Sequence, residues 1–151
     1  MEIALRPASN QDFDYCRRVY FAGISTIIED LRLHRPSQEA SFKEHWKATQ
    51  VRIITLDRWD IGWLQSFIED DTLFIAQLFI DVPFQRRGIG AEVMHRLIGE
   101  ANRANLAVRL NVVKINPAVR LYKRLGFRVV HEDDRKFYMK RDQDMDAFAS
   151  S

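Results

Sequence analysis

The spacing of hydrophobic and polar positions along the chain predicts its secondary structure, because alternation indicates strands and repeats of three or four indicate helices. Strands are expected at about residues 2–6, 51–56, 61–68, 73–80, 107–113, 127–131 and 136–140. Helices are expected at about residues 11–28, 37–46, 88–105 and 116–125. This order of elements predicts a mixed α/β (α+β) domain with a sheet in the middle.

Two neighbouring segments in the middle of the chain have the clearest patterns. The segment at 73–80 is almost entirely apolar, which is typical of a central strand covered on both faces. The helix that follows carries an apolar stripe. The stripe consists of Ile89, Val93, Met94, Leu97, Ile98 and Ala101. The loop between them therefore joins the most apolar strand to an amphipathic helix.

Local signals refine the bounds of the first two helices. Ser9 or Asn10 can cap the first helix. Gly23 weakens the middle of that helix and could divide it. Residues 29–36 are expected to form a loop, and residues 37–40 could form part of the cap of the second helix.

Size and composition indicate one ordinary globular domain. The 151 residues are 46% apolar and 29% charged, and no repeat, linker or low-complexity stretch divides them. We expect a single domain over residues 1–141, followed by a frayed polar tail over residues 142–151. The net charge of only +2 gives no reason to expect nucleic acid or a membrane as a partner.

Cysteine usage and the absence of long apolar segments bear on the compartment. Cys16 is the only cysteine, so no intrachain disulfide can form, and a small apolar helix residue is favoured over a reactive thiol. No signal peptide is visible, and no segment reaches the roughly 20 apolar residues that span a bilayer. We therefore expect a cytoplasmic protein.

The sharpest local feature is the run Gln85-Arg86-Arg87-Gly88-Ile89-Gly90, at the start of the amphipathic helix. A helix start offers unpaired N–H groups and a partial positive charge. Glycines let an anion approach the backbone, and the two arginines add full positive charge. These parts suit a pyrophosphate, although a tight turn with solvated arginines would account for the same residues.

Two better-known phosphate motifs do not fit this run. A P-loop ends in Gly-Lys-Ser/Thr, whereas Gly90 is followed by Ala91 and Glu92. A dinucleotide-binding turn needs a third glycine three residues further on, and Val93 occupies that position. The loop therefore belongs to neither of these nucleotide-binding classes.

A second motif covers residues 116–127, with the sequence NPAVRLYKRLGF. Asn116 is a good N-cap, Pro117 suits the first helical position, and Gly126 suits the C-terminal stop. Tyr122 has none of these roles. A tyrosine on a short helix is most often a core residue whose hydroxyl is hydrogen-bonded, so this motif alone favours structure over function.

Together the two motifs resemble the signature of the GCN5-related N-acetyltransferase (GNAT) family: Gln/Arg-x-x-Gly-x-Gly, then Asn-x-x-Ala-x-x-Leu-Tyr-x-x-x-Gly-Phe. The second part departs slightly, because Ala118 lies one place before the usual alanine and Val119 occupies that place. The resemblance covers the order of elements from Ile3 to Lys140. It implies a mixed, mostly antiparallel central sheet of about seven strands with helices on both faces.

The resemblance also implies acetyl-coenzyme A as cosubstrate, entering a gap where the central strands splay apart. The backbone of Leu78, Phe79 and Ile80 would hold the pantetheine arm and the acetyl carbonyl, like an added strand. The residues implied to hold the pyrophosphate, mainly by backbone N–H groups, are Arg86, Arg87, Gly88, Ile89, Gly90 and Ala91. Asn116 would bond the pantetheine arm, and Tyr122 would face the sulfur as general acid.

The resemblance implies direct attack of a neutral amine on the thioester. This reaction is accelerated by positioning the reactants and polarising the carbonyl. Tyr122 can protonate the departing thiolate if it is well placed. Some family members carry an acidic residue five places before the asparagine of the second motif. In this chain Asn111 occupies that place. Other candidate bases, which ordinary surface charge explains as well, are Glu29, Asp30, His34 and His45.

Several polar positions have two interpretations. Gln77 is the lone polar side chain of an apolar strand, and Trp63 and Gln65 share a face of theirs. Each could contact the acceptor or be satisfied inside the fold. The acidic runs at 69–71 and 131–134 are expected to be solvated turns.

Other classes of function stay open. A non-catalytic acyl-CoA-binding or regulatory domain of the same fold is supported by the missing acid at Asn111. A nucleic-acid-binding module, for which the balanced charge gives little support, would use Arg86, Arg87, Arg120, Lys123 and Arg124. A metal enzyme is disfavoured, because the four histidines show no ligand spacing. The amine acceptor could be a small molecule, a peptide or a protein lysine, and a homodimer is compatible with the sequence.

Overall fold

The computed structural model describes residues 2–144. Its strands within this range are β1 (Ile3–Pro7), β2 (Val51–Leu56), β3 (Trp59–Glu69), β4 (Thr72–Ile80), β5 (Ala107–Val113), β6 (Arg128–Glu132) and β7 (Lys136–Arg141). Its α-helices within this range are α1 (Phe13–Asp30), α2 (Arg35–His45), α3 (Ile89–Arg103) and α4 (Ala118–Arg124). The predicted order of elements is confirmed.

The strands form one sheet in the order β1-β2-β3-β4-β5-β7-β6. The β4–β5 pair is parallel, whereas β1–β2, β2–β3, β5–β7 and β6–β7 are antiparallel. The parallel register runs from Thr72 opposite Ala107 to Ile75 opposite Leu110. The fold is thus the predicted α+β fold with a mixed, mostly antiparallel seven-stranded sheet, and β4 is its central strand.

The chain divides into two compact units. The first unit comprises the chain up to Gln65 together with Gln77–Gly90, and the second comprises Ser66–Ala76 and the chain from Ala91 onward. That residues 1–141 act as one domain stays a prediction. Most of the tail predicted at 142–151 lies outside the described residues.

In the first unit, α1 and α2 cover β2 and β3 around a core rich in aromatic side chains. This core contains Cys16, Val19, Phe21, Ile24, Phe42, Trp46, Val51, Ile53 and Trp63. Cys16 is fully buried, and burial raises the pKa of its thiol to about 12. The interpretation of Cys16 as a structural apolar residue is confirmed, because a thiol with this pKa is not ionised at neutral pH.

The helix starts test the capping predictions. Ser9 does cap the first helical segment: its hydroxyl accepts the N–H of Gln11 at 3.3 Å, and the carboxylate of Asp12 accepts the N–H of Ser9 at 2.9 Å. The cap predicted at 37–40 is wrong, because α2 already begins at Arg35. Pro36 lies in the first turn, where its fixed φ favours helix initiation.

The predicted division of α1 at Gly23 is also wrong, since the helix runs unbroken from Phe13 to Asp30. A Cβ at Gly23 would lie only 2.8 Å from Cδ1 of Phe79. The glycine therefore makes room for a ring that packs against the helix. Its intrinsic helical weakness is offset by this tertiary contact.

The second unit buries the predicted stripe of α3, with Val93, Met94 and Leu97 fully inaccessible to solvent. Val108, Leu110 and Val112 are the buried face of β5, as their alternation predicts. One expectation is wrong: β4 is not covered on both faces in this unit, because Phe74 lines an open groove. Within residues 2–144, no helix is long and apolar enough to cross a membrane.

Candidate functional site

The loop between β4 and α3 is shaped by its own side chains. Asp81 accepts the N–H of Val82 at 2.9 Å, and the Gln85 amide donates to the carbonyl of Ile80 at 2.9 Å. Arg18 adds an ion pair to Asp81 at 3.1 Å. This network holds the end of β4 and the start of the glycine-containing run in one arrangement within the first unit.

The two glycines of the run leave open space beside the backbone. Gly88 has φ 78°, a left-handed conformation that L side chains rarely adopt, and a Cβ built there would meet nothing within 4 Å. At Gly90, in the first turn of α3, a Cβ would meet only Cγ1 of Ile80, at 4.0 Å. No packing within the fold therefore requires a glycine at position 90. The space suits the close approach of a ligand to the N–H groups at the helix start.

Arg86 and Arg87 bring uncompensated positive charge to this loop. Both side chains are exposed, and neither forms an ion pair with a carboxylate of residues 2–144. Arg86 itself has φ 64°, and the guanidinium of Arg87 lies 5.6 Å from the ring centroid of Phe84. The charge is thus free to act on an anion at the helix start.

An aromatic cluster holds the end of β4, where Leu78, Phe79 and Ile80 are half-buried. The ring of Phe79 lies 5.1 Å from Tyr20 and 5.7 Å from Trp63, measured between centroids. A Cβ at Gly62 would overlap the Phe79 carbonyl, so only glycine fits on the neighbouring strand. The backbone of this segment is therefore held rigidly within the first unit.

The second motif forms a well-capped short helix in the second unit. The side-chain oxygen of Asn116 accepts the N–H of Ala118 at 2.9 Å, so Asn116 caps α4 as predicted, although the helix begins two residues later. At the other end Gly126 has φ 96°, and the N–H of Phe127 bonds the carbonyl of Tyr122 at 3.0 Å. This Schellman arrangement confirms the predicted stop. At the helix start, the side-chain nitrogen of Asn116 has no hydrogen-bond partner among the described residues.

Tyr122 is not the hydrogen-bonded core tyrosine that the helix alone would suggest. Its ring packs edge-on against Phe127 at 6.0 Å between centroids. Its hydroxyl makes no hydrogen bond with any residue between 2 and 144. Burial raises its pKa above the ordinary value of 10, so the phenol keeps its proton at neutral pH and can donate it.

A groove of about 490 Å³ opens on the second unit, and its residues were largely missed by sequence reasoning. Phe74, Arg109, Asn111 and Tyr138 line it, with Glu69 and Asp70 at one end. Asn111 lies directly opposite Tyr138 in the β5–β7 register. Only this register identifies Tyr138, since in the sequence it is one of several aromatic residues of a hairpin.

Asp133 orients the Tyr138 hydroxyl, which donates to Oδ2 of Asp133 at 2.8 Å. The N–H groups of Arg135 and Lys136 bond the same carboxylate, and these bonds lower the pKa of Asp133 to about 2. The hydrogen bond to Asp133 in turn raises the pKa of Tyr138. The turn expected at 131–134 is present only from Asp133 onward, because His131 and Glu132 belong to β6, and it positions a groove side chain as well.

The ambiguous polar residues separate clearly. Gln65 is structural, because its buried amide donates to the carbonyl of His45 and to Oε1 of Gln50, both at 2.9 Å. Trp63 is fully buried in the aromatic core, but its indole N–H has no hydrogen-bond partner among the described residues. The amide of Gln77 is half-buried and has no hydrogen-bond partner among the described residues, so it is not satisfied inside the fold.

The helix-end candidates for a base are all exposed. Glu29 and Asp30 end α1, His34 precedes α2, and His45 ends α2 with its ring bonded to the carbonyl of Ser41 at 2.8 Å. Their role in proton transfer stays a prediction. Across the described part of the chain, no cluster of three or more His, Cys, Asp or Glu side chains could hold a metal ion.

The fold and the two motifs define a class of protein, an α+β domain with a glycine-containing loop between its central strand and the following helix. The family model described as the acetyltransferase (GNAT) domain matches residues 37–147. The chain therefore belongs to the GNAT acetyltransferase family. No curated protein sequence matches it significantly.

Solved structures of low sequence identity share the fold. The paiA N-acetyltransferase of Thermoplasma acidophilum, in complex with coenzyme A, aligns with a TM-score of 0.76 at 16% identity, covering 94% of this chain and 99% of its own. Ard1 of Thermoplasma volcanium aligns with a TM-score of 0.69 at 20% identity, covering 95% of this chain and 99% of its own. The ribosomal-protein-S18-alanine N-acetyltransferase of Escherichia coli aligns with a TM-score of 0.68 at 15% identity, covering 95% of this chain and 96% of its own.

Proposed function

We propose that this protein is an acetyl-CoA-dependent N-acetyltransferase that acetylates a primary amine. Membership of the family supports acetyl transfer. The observation that supports this ligand most directly is the open space at Gly88 and Gly90, beside two arginines that have no ion pair within residues 2–144. No packing among these residues requires a glycine at position 90. A diphosphate is the group that this combination of free N–H groups and positive charge recognises best.

The resemblance assigns the parts of coenzyme A to particular residues, and several local features fit that assignment. The backbone of Leu78, Phe79 and Ile80 would hold the pantetheine arm. The residues that would hold the pyrophosphate are Arg86, Arg87, Gly88, Ile89, Gly90 and Ala91. The free side-chain nitrogen of Asn116 is a suitable donor to an amide carbonyl of the pantetheine arm.

Coenzyme A supplies an acetyl group activated as a thioester. Tyr122 holds a proton on its phenol oxygen at neutral pH, because burial raises its pKa. We propose that it gives this proton to the departing sulfur, as the family resemblance implies. Its hydroxyl has no hydrogen-bond partner in the described part of the chain, which suits a group that must bond a substrate atom.

We propose further that the acceptor amine enters the groove of the second unit. The groove contains Asn111, the position at which some family members carry an acid. Neither Asn111 nor the Tyr138–Asp133 pair can take up a proton at neutral pH, because Tyr138 keeps its own and Asp133 has a pKa of about 2. Because no group in the Asn111–Tyr138 row accepts the amine's proton, we expect the amine to arrive already neutral or to lose its proton to water.

Calorimetric titration of coenzyme A into the wild type, Gly90→Ala and Gly99→Ala tests the cofactor assignment. Both glycines lie inside α3, where alanine is favoured by up to about 1 kcal/mol. We expect Gly90→Ala to fold normally and to bind coenzyme A roughly tenfold more weakly or worse, because its methyl group occupies the ligand's space. Gly99→Ala, the matched control, should bind as the wild type does. Equal affinity in all three proteins would contradict the assignment.

Cytoplasmic location, a homodimer and the absence of nucleic acid as a partner stay predictions. The non-catalytic alternative shares the coenzyme A site and differs only in turnover. Release of free thiol from acetyl-CoA in the presence of an amine separates the two, since a regulatory domain would bind the cosubstrate without releasing thiol.

A further inference from the structure

Arg109, which lines the groove of the second unit, is the first of three cations in one row across the sheet. The strand register places Phe74 opposite Arg109, Arg109 opposite Lys140, and Lys140 opposite Arg128. Three basic residues therefore lie side by side on adjacent strands β5, β7 and β6. Like charges directly opposite each other destabilise a sheet, so this row has no structural benefit of its own.

Two of these cations are neutralised and one is not. Arg128 and Lys140 share the carboxylate of Asp142, at 2.7 and 3.6 Å. Arg109 makes no hydrogen bond or ion pair with any residue in the range 2–144, although it lines the groove. Its guanidinium is therefore available to an anion that enters from outside.

The spacing of Arg109 and Asn111 along β5 indicates how far apart two groups of a bound acceptor would lie. The two residues are on the same face of β5, two positions apart, which corresponds to about 7 Å along a strand. Asn111 and Tyr138 form the row where the acceptor nitrogen is proposed to lie. An anion bound by Arg109 would thus belong to the same acceptor molecule, one short aliphatic chain away from the amine.

We propose that the acceptor is an amine carrying a carboxylate about 7 Å from its nitrogen, and that Arg109 binds this carboxylate and determines specificity. This inference rests on the proposed acetyltransferase function. Glu69 and Asp70 at the end of the groove would instead favour a second amine. Glu69 ends β3 and Asp70 begins the hairpin turn, one row further from Asn111 than Arg109, so a short acceptor meets Arg109 first.

Three acceptors of equal length test the proposal: 5-aminopentanoate, its uncharged amide 5-aminopentanamide, and 1,5-diaminopentane. Thiol release from acetyl-CoA gives kcat/KM for each. We expect the wild type to prefer the carboxylate over the amide roughly tenfold, the size of one charge-assisted hydrogen bond. Arg109→Gln should bring this ratio close to one, mainly through KM. Arg103→Gln, which removes the same charge at the exposed end of α3, should preserve the ratio.

Calorimetry of 5-aminopentanoate with protein saturated by coenzyme A adds a readout independent of turnover. Heat of binding should be present in the wild type and lost in Arg109→Gln. Preference for the diamine, or equal use of acid and amide, would each overturn the inference alone. No thiol release with any of the three by protein that binds coenzyme A would overturn the inference and favour the non-catalytic alternative. Absence of coenzyme A binding would instead overturn the proposed function beneath it.

Discussion

At the scale of single residues, the proposed acid–base chemistry depends on groups that keep their protons. Tyr122 and Tyr138 both have raised pKa values, the first through burial and the second through the hydrogen bond to Asp133. Asn111 has no titratable group at all. The pH dependence of turnover should therefore be set by the amine substrate on the acidic side and by Tyr122 on the alkaline side.

We expect kcat/KM to rise tenfold per pH unit between about 7 and 9, because a lysine-like amine has a pKa of about 10.4. The fall should begin only above the ordinary tyrosine pKa of about 10, since burial moves the pKa of Tyr122 upward. Tyr122→Phe should lower kcat about a hundredfold without changing coenzyme A affinity. A plateau near neutral pH in the wild type would instead show that an unassigned base takes the amine's proton.

At the scale of single elements, two helical glycines have the same low helix propensity but differ in the space around them. Gly23 in α1 faces the ring of Phe79, which is itself confined by Tyr20 and Trp63. Gly99 in α3 faces only the flexible end of Arg103, at 3.3 Å. Helix propensity alone would predict the same effect of alanine at both positions.

We expect Gly23→Ala to destabilise the protein by about 1–3 kcal/mol, because the new methyl group overpacks against an aromatic ring that cannot move away. Gly99→Ala should be neutral or stabilise it by up to about 1 kcal/mol. Urea unfolding of the two variants measures both effects. Equal shifts in the same direction would show that Phe79 does not restrict α1.

Element bounds were predictable wherever a local signal determines them. The strands β2 and β5 match their predicted ranges, and the stop of α4 at Gly126 follows from a conformation that glycine adopts easily. The continuity of α1 through Gly23 was not predictable, because Phe79 lies far away in the sequence. The start of α2 at Arg35 disagrees with the loop expected at 29–36, because Pro36 lies in the first helical turn and favours its initiation.

At the scale of the whole molecule, ligand binding should be visible as stability, since a ligand that binds only the folded state raises its unfolding free energy. At a hundredfold excess over Kd the gain is about 2.7 kcal/mol, or roughly 5–10 °C for a chain of this length. We expect coenzyme A to produce such a rise in Tm and pantetheine, which lacks the diphosphate, to produce almost none at the same concentration. Thermal denaturation followed by circular dichroism measures both. An equal rise with pantetheine would argue against recognition through the pyrophosphate.

The sequence by itself determined the order of elements, the α+β class, the glycine-containing loop after the most apolar strand, and the helix with Tyr122. These features depend on periodicity, caps and turn residues that act within a few positions of one another. The tertiary structure alone decided that Asn111 lies opposite Tyr138, that Arg109 has no carboxylate partner among residues 2–144, and that Gly90 has free space beside it. Strand register and the space around a residue arise from contacts between segments distant in the chain, and no local pattern specifies them.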